Sequence, residues 1–278
     1  IYKYFLRNQN ILAPKLYQHN LKKGIIVIED FGNVLFSKVL KGKEKKLPTY
    51  KKLVDLLLKI QKIKPKSKVK SIIKKKHRIN KYSIKYLNKE SDLFFDWYLP
   101  IIINKKKVFY IKKKTKKILN KLYRKLSFPN NCFVHRDYHV QNLMKIGNKV
   151  GIIDTQDALI GNPAYDLVSL IDDVRIKTTK KLKNQIYEYY LKKNIKIQRN
   201  KYKDFSQDFN ILSVQRSLKI IGIFARLFKR DKKNKYLKLI PYTWKLLEMR
   251  INNKIFFELK KILDQNINEK LRNKIIKK

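Results

Sequence analysis

The sequence predicts an α+β fold, in which a short N-terminal part containing strands precedes a large, mainly helical part. Residues 24–29 form an apolar run of the length of a strand, and residues 143–153 contain two further strand-like runs around a turn. In the C-terminal third, apolar residues recur instead at the spacing of amphipathic helices.

The N-terminal part is predicted to hold the end of a helix, at residues 2–12, and one buried strand. The strand is the run Gly-Ile-Ile-Val-Ile-Glu at residues 24–29, and Asp-Phe-Gly-Asn at residues 30–33 is the turn that leaves it. From the residues alone, this turn is either an ordinary strand end or a functional hinge.

Helices are predicted over most of the remaining sequence. Pro48 is predicted to lie in the tolerated first turn of one helix, Pro100 is predicted to separate two others, and the charged residues 65–76 form a connector. Two of the predicted helices are defined only by their start, at Pro48 and near residue 164. The other predicted helices cover residues 82–99, 104–125, 181–192, 209–229, 236–250 and 255–263.

The composition argues against a membrane-spanning protein and against a disulfide framework. Of the 278 residues, 44% are hydrophobic, which is enough to bury the core of one large domain. No apolar run approaches the roughly 18 residues of a membrane span. Cys132 is the single cysteine and is expected to pack in the interior. No secretory signal pattern opens the chain, so we expect a cytoplasmic protein.

The formal charge of +48 invites a nucleic-acid function, but its distribution favours another explanation. Lysine is spread along nearly every predicted helix rather than gathered on one face, and lysine, asparagine, isoleucine, tyrosine and phenylalanine are the residues of AT-rich codons. We therefore attribute the charge to genome composition and expect no specific nucleic-acid partner and no membrane partner.

One motif carries most of the chemical information in the chain. Residues 135–142 read His-Arg-Asp-Tyr-His-Val-Gln-Asn, and Asp154 follows at the end of a hydrophobic strand. A His-Arg-Asp-x-x-x-x-Asn motif closed by such an acid is typical of kinase-type phosphotransferases. Asp137 is the predicted catalytic base, and Asn142 and Asp154 are the predicted metal ligands.

A hairpin is predicted to bring the two ligands together. Gly147 suits the first central position of a two-residue type II′ turn, and folding residues 143–153 about it sets Asn142 opposite Ile153 and beside Asp154. Mg²⁺ takes oxygen ligands, one or two from protein and the rest from phosphate and water, so an amide oxygen and a carboxylate suit it. Asp137, displaced along the loop, is left to accept a proton.

Each of these residues taken singly has an ordinary structural explanation. A His-x-Asp sequence near a hairpin can be a hydrogen-bonded loop, and an aspartate after a strand is often a turn residue or a helix cap. The functional interpretation depends on Asp137, Asn142 and Asp154 occurring together on this hairpin.

Several segments resemble the aminoglycoside-phosphotransferase superfamily, namely residues 133–139, 153–158 and 165–170. Within it, the chain is most similar to the bacterial anomeric sugar kinases that phosphorylate N-acetylmuramate and N-acetylglucosamine in cell-wall recycling. Residues 90–99 and 215–227 carry this closer likeness, and the resemblance covers most of the chain.

The resemblance implies a protein-kinase-like two-lobed fold with a truncated N-terminal lobe, ATP and Mg²⁺ as cofactors, and a small-molecule sugar as substrate. Residues 1–33 correspond to a remnant of the nucleotide-binding lobe and the hinge, and residues 34–278 to the large helical lobe, with the catalytic loop and hairpin at 131–157. The Gly-rich loop and strand lysine of such a lobe are missing from this sequence, so we expect it to be a fragment without a full nucleotide clamp.

The resemblance also assigns roles around the motif. The main chain of Glu29, Asp30 and Phe31 is expected to meet the adenine edge. Asp166, near a helix N-terminus, is expected to accept backbone N–H groups and support the catalytic loop. Asp157 is expected to contact a second metal or the sugar, or to cap the turn.

Four further side chains are supporting or substrate-binding candidates. His135 and Arg136 lie within the motif. Arg216 and Arg226 stand out in a lysine-rich chain, because a guanidinium binds a carboxylate bidentately and lysine cannot. Either could meet the lactyl carboxylate of a muramic sugar. The alternative is an ion pair with an acid, for which the candidates are Asp166, Asp172 and Asp173.

Other interpretations remain open at this point. Phe94, Trp97 and Tyr98 could form a stacking platform for a sugar ring, although core packing is favoured for at least two of them. The motif itself does not choose among substrates, so an aminoglycoside or amino-alcohol phosphotransferase is one alternative. A noncatalytic kinase-like binding module is the other.

Overall fold

The computed structural model describes residues 10–69 and 77–273. Its strands are β1 (Leu16–Asn20), β2 (Ile25–Ile28), β3 (Lys68–Val69), β4 (His77–Arg78), β5 (Cys132–Val134), β6 (Leu143–Ile146), β7 (Lys149–Ile152) and β8 (Leu159–Gly161). Its α-helices are α1 (Phe36–Val39), α2 (Lys46–Gln61), α3 (Ile84–Leu93), α4 (Leu99–Ile102), α5 (Lys105–Arg124), α6 (Ala164–Ile171), α7 (Lys180–Lys193), α8 (Tyr202–Lys229), α9 (Ile240–Ile251), α10 (Phe257–Asn266) and α11 (Glu269–Asn273).

The chain divides into two compact units, each built from two stretches of sequence. The first unit contains Ile1–Tyr82 and Phe128–Tyr202, and the second contains Ser83–Ser127 and Lys203–Lys278. All the strands described above lie in the first unit. The predicted lobe boundary at residue 33 is a different kind of division and stays a prediction.

In the first unit, the β6–β7 hairpin has the predicted register. Leu143 lies opposite Ile152 and Ile146 lies opposite Lys149. Gly147 has a φ of 54°, the positive value that the first central residue of the predicted turn requires. Because successive side chains of a strand point to opposite faces, this register determines which side chains of the hairpin face the interior.

Two earlier segments of the first unit flank this hairpin. The N–H of Ile152 donates to the Leu12 carbonyl (2.9 Å), and the N–H of Lys145 donates to the Val34 carbonyl (2.8 Å). The helix end predicted at residues 2–12 falls largely outside the described residues, and Leu12 forms a β-bridge rather than a helical turn.

Buried side chains tie the helices of the first unit together. The Gln61 side chain, at the end of α2, donates to the Pro163 carbonyl before α6 (2.8 Å) and accepts from the Tyr190 hydroxyl on α7 (2.6 Å). Tyr138, within the predicted catalytic loop, donates its hydroxyl to the Leu53 carbonyl on α2 (2.7 Å). The loop is therefore anchored to the helical core.

The strand predicted at residues 24–29 is present as β2, but the prediction that it is buried is wrong. Its residues Ile25–Ile28 are exposed by 42–56%. Within the described residues, β2 pairs only with β1 in a two-stranded sheet, so neither face of the strand is covered by a further layer.

In the second unit, the segments 90–99 and 215–227 pack against each other. The Glu90 carboxylate is paired with Lys219 (2.9 Å) and accepts a hydrogen bond from Gln215 (3.1 Å). At Gly222 the helices approach so closely that an added Cβ would lie 2.3 Å from the Leu93 carbonyl carbon. A polar buried network and a small residue therefore join these two segments.

The aromatic residues of the second unit mostly serve the core. Phe94 and Tyr98 are fully buried, with ring centroids 5.8 and 6.0 Å from that of Trp244. Tyr98 also accepts a hydrogen bond from the Trp244 indole (3.0 Å). Core packing is thus the role of Phe94 and Tyr98. Trp97, the third residue of the predicted stacking platform, is half-buried.

Two predicted boundaries are corrected by the structure. Pro100 does not separate two helices, because α3, the π-helical turn and α4 follow one another without a gap and the helical backbone continues through Pro100 to Ile102. Residues 94–98 form a π-helical turn that continues α3, and the break comes at Ile103, which has an extended conformation. The predicted connector 65–76 includes the short strand β3, and its residues 70–76 lie outside the described part.

The predicted C-terminal helices are present, with shifted ends. The helix predicted from residue 209 begins at Tyr202, and the one predicted from residue 236 begins at Ile240 after a 3-10 segment, Asn234–Leu239. Among the described helices, none combines the length and apolar character needed to cross a bilayer.

Candidate active site

His135 is the buried centre of the predicted catalytic loop. Its Nδ1 accepts a hydrogen bond from the Asp137 N–H (3.3 Å), and its Nε2 lies 2.9 Å from the Ile153 carbonyl oxygen. These partners fit the neutral ring protonated on Nε2. Burial lowers the pKa of His135, while the nearby carboxylates of Asp137 and Asp154 act in the opposite direction. The ring therefore links the loop to the strand end that carries Asp154.

Asn142 lies where the loop meets the hairpin. Its main-chain carbonyl accepts from the N–H of Ile153 (3.0 Å), which extends the β6–β7 pairing by one residue, as predicted. Its side-chain Nδ2 donates to the Asp137 carbonyl (3.0 Å). This bond assigns the amide nitrogen to the loop and leaves Oδ1 as the atom that can act as a ligand.

Arg136 and Asp154 both have a strained backbone. Asp154 has a φ of 63° and Arg136 has a φ of 73°, values that residues other than glycine seldom adopt. Such residues cost on the order of 1–3 kcal/mol and cluster at functional sites. The Asp154 carboxylate is exposed, and Gln156 donates its side-chain amide to it.

Asp166 holds the first part of the loop from within the core. Its carboxylate is completely buried and accepts from the N–H groups of His135 (2.7 Å) and Arg136 (3.1 Å). These charge-assisted bonds compensate for the strained φ of Arg136. The geometry is the one expected for a residue that supports the loop without touching a substrate.

Arg136 and Asp157 are brought together, but not through the Asp157 carboxylate. The Arg136 guanidinium donates to the main-chain carbonyl of Asp157 (3.2 Å). The Asp157 side chain is exposed to solvent. Arg136 thus braces the segment after Asp154, and the metal, sugar or capping roles of Asp157 stay predictions.

The donor set fits a hard divalent cation. Across the described residues, no cluster of three or more histidine, cysteine or acidic side chains forms a metal cage. One carboxylate and one amide oxygen, on adjacent strand ends, match Mg²⁺ instead, since Mg²⁺ obtains its other ligands from water and phosphate. Asn142 and Asp154 are the residues that would hold it.

The predicted hinge is partly engaged in local bonds. The N–H of Glu29 donates to the Lys15 carbonyl (2.8 Å), and the Asp30 carboxylate accepts from the N–H of Gly32 (2.8 Å). The Phe31 ring packs over Gly151 of β7, where an added Cβ would come within 2.9 Å of it. The main chain of Asp30 and Phe31 remains the candidate contact for an adenine edge.

Arg216 and Arg226 belong to α8 in the second unit, and they differ in burial. Arg216 is 4% exposed, and no hydrogen bond or ion pair joins its guanidinium to another described residue. Arg226 is half-buried, and its Nε has no hydrogen-bond partner among those residues. Of the alternative partners, Asp172 is paired with Lys183 and Asp173 with Arg175.

The structure adds contacts that the sequence interpretation missed. Gln156 contacts Asp154, and Asp173 and Arg175 contact the far end of the loop at Val140 and Gln141. Gln156 could have been found by its position two residues after a predicted ligand. Asp173 and Arg175 lie far along the chain from the loop, and no motif near them indicates their contacts with it.

Comparison with known proteins identifies relatives for most of the chain. A family model described as the phosphotransferase enzyme family matches residues 47–201. A protein of Caulobacter vibrioides named N-acetylmuramate/N-acetylglucosamine kinase is 27% identical over 271 residues, which are 95% of this chain and 72% of that protein. A Pseudomonas aeruginosa protein of the same name is 29% identical over 251 residues, 88% of this chain and 70% of that protein.

Solved structures with similar folds include two other kinds of small-molecule phosphotransferase. A choline/ethanolamine kinase family protein from Mesorhizobium loti has a TM-score of 0.61 and 10% identity, with 93% of this chain and 79% of that chain covered. An ADP-bound aminoglycoside phosphotransferase has a TM-score of 0.56 and 14% identity, with 91% and 80% covered. The predicted protein-kinase-like α+β fold is thereby confirmed.

Proposed function

The chain belongs to the phosphotransferase enzyme family, and from that premise we propose that it transfers the γ-phosphoryl group of ATP to a hydroxyl group of an amino sugar. The observation that supports this most directly is the joint placement of Asp137, Asn142 and Asp154 around buried His135. Phosphoryl transfer depends mainly on positioning and charge stabilisation, and a base and two oxygen ligands in fixed relation supply part of both.

In the proposed reaction, Asp137 orients the acceptor hydroxyl and takes its proton as the oxygen attacks the γ-phosphorus, and the bond from that phosphorus to the β–γ bridging oxygen breaks to release ADP. The His135 ring and the Asn142 amide hold the main chain of Asp137 on both sides, so the carboxylate is presented in one orientation. The anomeric hydroxyl of a sugar is more acidic than an ordinary alcohol, so Asp137 need be only a modest base.

Asn142 Oδ1 and the Asp154 carboxylate are the proposed Mg²⁺ ligands, and the bound ion would neutralise charge on the phosphates. Gln156 donates a side-chain hydrogen bond to the Asp154 carboxylate. The main chain of Glu29, Asp30 and Phe31 is the proposed contact for the adenine of ATP.

The proposed acceptors are N-acetylmuramate and N-acetylglucosamine, phosphorylated at the anomeric hydroxyl in cell-wall recycling in the cytoplasm. The relatives from Caulobacter vibrioides and Pseudomonas aeruginosa carry these two sugars in their names. Arg216 and Arg226 are the proposed candidates for contact with the lactyl carboxylate of N-acetylmuramate, because a guanidinium binds a carboxylate bidentately.

A substrate panel tests this proposal. The full-length protein is incubated with ATP and Mg²⁺ and with N-acetylmuramate, N-acetylglucosamine, choline or an aminoglycoside, and ADP release is measured. We expect turnover with the two amino sugars and none with Asp137→Asn. Turnover with choline or the aminoglycoside alone would contradict the amino-sugar assignment. ATP-independent binding without turnover of any acceptor would favour a noncatalytic binding module.

A further inference from the structure

A second buried carboxylate, Asp173, holds the far end of the catalytic loop. Asp173 follows the C-terminal end of α6 and is 1% exposed. Its Oδ2 accepts from the N–H of Val140 (3.1 Å), while its Oδ1 accepts from the N–H and the guanidinium of Arg175 (3.0 and 3.1 Å). The charge of Asp173 is thus compensated while one of its oxygens remains bonded to the loop.

The two carboxylates of this region act on opposite ends of one loop. Asp166, in the first turn of α6, binds the N–H groups of His135 and Arg136, and Asp173 binds that of Val140. The two attachment points therefore lie at opposite ends of one short helix, Asp166 in its first turn and Asp173 two residues beyond its last residue.

Arg175 extends the attachment by one more residue. Its Nε donates to the side-chain oxygen of Gln141 (2.7 Å) while its Nη1 donates to Asp173. Gln141 directly precedes Asn142, the proposed metal ligand. A planar guanidinium can serve both partners at once in fixed geometry, and an ammonium group cannot.

We propose that Asp173, Arg175 and Gln141 are positioning residues that fix Asn142 for metal binding. This proposal rests on the proposed function only in taking Asn142 as a ligand. Groups that orient a metal ligand typically affect metal affinity or activity by about 10–100-fold when removed. The cluster is therefore expected to set the Mg²⁺ requirement of the enzyme rather than its affinity for the sugar.

The chain offers a matched control for a purely structural role. Lys183 forms a buried pair with Asp172 (3.2 Å) and also donates to the Ile171 carbonyl at the end of α6. Both side chains of that pair are 3% exposed. Lys183→Met therefore removes a buried ion pair from the same helix end without removing the bonds to Val140 and Gln141.

The first measurement is the Mg²⁺ concentration that gives half-maximal activity at saturating ATP. Arg175→Lys and Gln141→Ala are expected to raise it about tenfold or more, with the KM for the sugar unchanged. Because both act through one bond, the double variant should be no worse than the more affected single variant. Lys183→Met should lower the melting temperature without changing the Mg²⁺ requirement.

The second measurement is amide hydrogen exchange of residues 138–142, which needs no substrate. Faster exchange in Arg175→Lys than in Lys183→Met is expected, and equal exchange would overturn the proposed attachment. An unchanged Mg²⁺ requirement, or an equal change in Lys183→Met, would overturn the link to the metal. If the wild type turned over no acceptor, the proposed function would fail while the exchange data still decided the attachment.

Discussion

The side-chain amide of Asn142 donates a hydrogen bond to the main-chain carbonyl of Asp137, with 3.0 Å between nitrogen and oxygen. The predicted base and a predicted metal ligand are therefore connected directly. Asn142 uses its amide nitrogen to hold Asp137 and has its amide oxygen left to bind the metal. An aspartate or a leucine at position 142 could not do both.

This bond predicts a graded response at position 142. Asn142→Asp keeps an oxygen ligand but loses the donor to Asp137, and we expect activity to fall by up to about tenfold, the value of one neutral hydrogen bond. Asn142→Ala also loses the ligand and should fall by about 100-fold or more. Initial rates at saturating ATP and Mg²⁺ measure both, and equal losses would contradict the two-role assignment.

Removal of the second proposed ligand, Asp154, should abolish most activity without unfolding the protein. Asp154→Asn is expected to lower kcat by about 100-fold or more, because metal-assisted charge stabilisation contributes several kcal/mol. The control is Glu44→Gln. This variant also removes an exposed carboxylate, one that is paired with Lys145 of the β6–β7 hairpin. Wild-type turnover by Asp154→Asn, with the melting temperature unchanged, would refute the metal assignment.

The neutral His135 ring predicts a stability that depends on pH. Burial lowers the pKa of His135 in the folded state, so the unfolded chain binds the proton more readily. Stability from this residue is therefore complete above about pH 6.5, the ordinary histidine pKa, and is lost as the pH falls below it. Thermal unfolding at pH 7.5 and pH 5 should show a larger decrease for the wild type than for His135→Asn. Parallel decreases would show that other groups cause the effect.

The arginines of α8 predict a difference between the two sugars. Arg216→Lys should raise the KM for N-acetylmuramate about tenfold or more, because a charged hydrogen bond is worth about 1.5–3 kcal/mol. The KM for N-acetylglucosamine, which lacks the lactyl acid, should change little. Arg226→Lys is the comparison on the same helix. Equal effects on both sugars in both variants would make the arginines structural.

The spread of lysines predicts weak, nonspecific nucleic-acid binding. If the charge reflects genome composition, affinity for duplex DNA should fall steeply between about 50 and 200 mM salt and show no sequence preference. Fluorescence anisotropy with two unrelated duplexes measures both. Tight, sequence-selective binding that persists at physiological salt would refute this expectation.

Predictions from the sequence were most successful where the determinants are local. The register that sets Leu143 opposite Ile152 follows from one turn and from strand alternation, and it was predicted correctly. The prediction failed at Ile25–Ile28, because an apolar strand sequence does not reveal whether a second layer covers it. The prediction also failed at Pro100, because a proline does not always end a helix, and here the helical backbone continues through it to Ile102.

The sequence by itself determined the α+β class, the hairpin and the adjacency of Asn142 to Asp154, since those features depend on residues close together along the chain. The resemblance also anticipated that Asp166 supports the loop. Only the tertiary structure decided how the far end of the loop is held, where Asp173 reaches Val140 across 33 positions and Arg175 reaches Gln141 across 34. Contacts over such separations depend on how α6 packs beneath the loop, and side-chain packing of that kind leaves no periodic or motif signal in the chain.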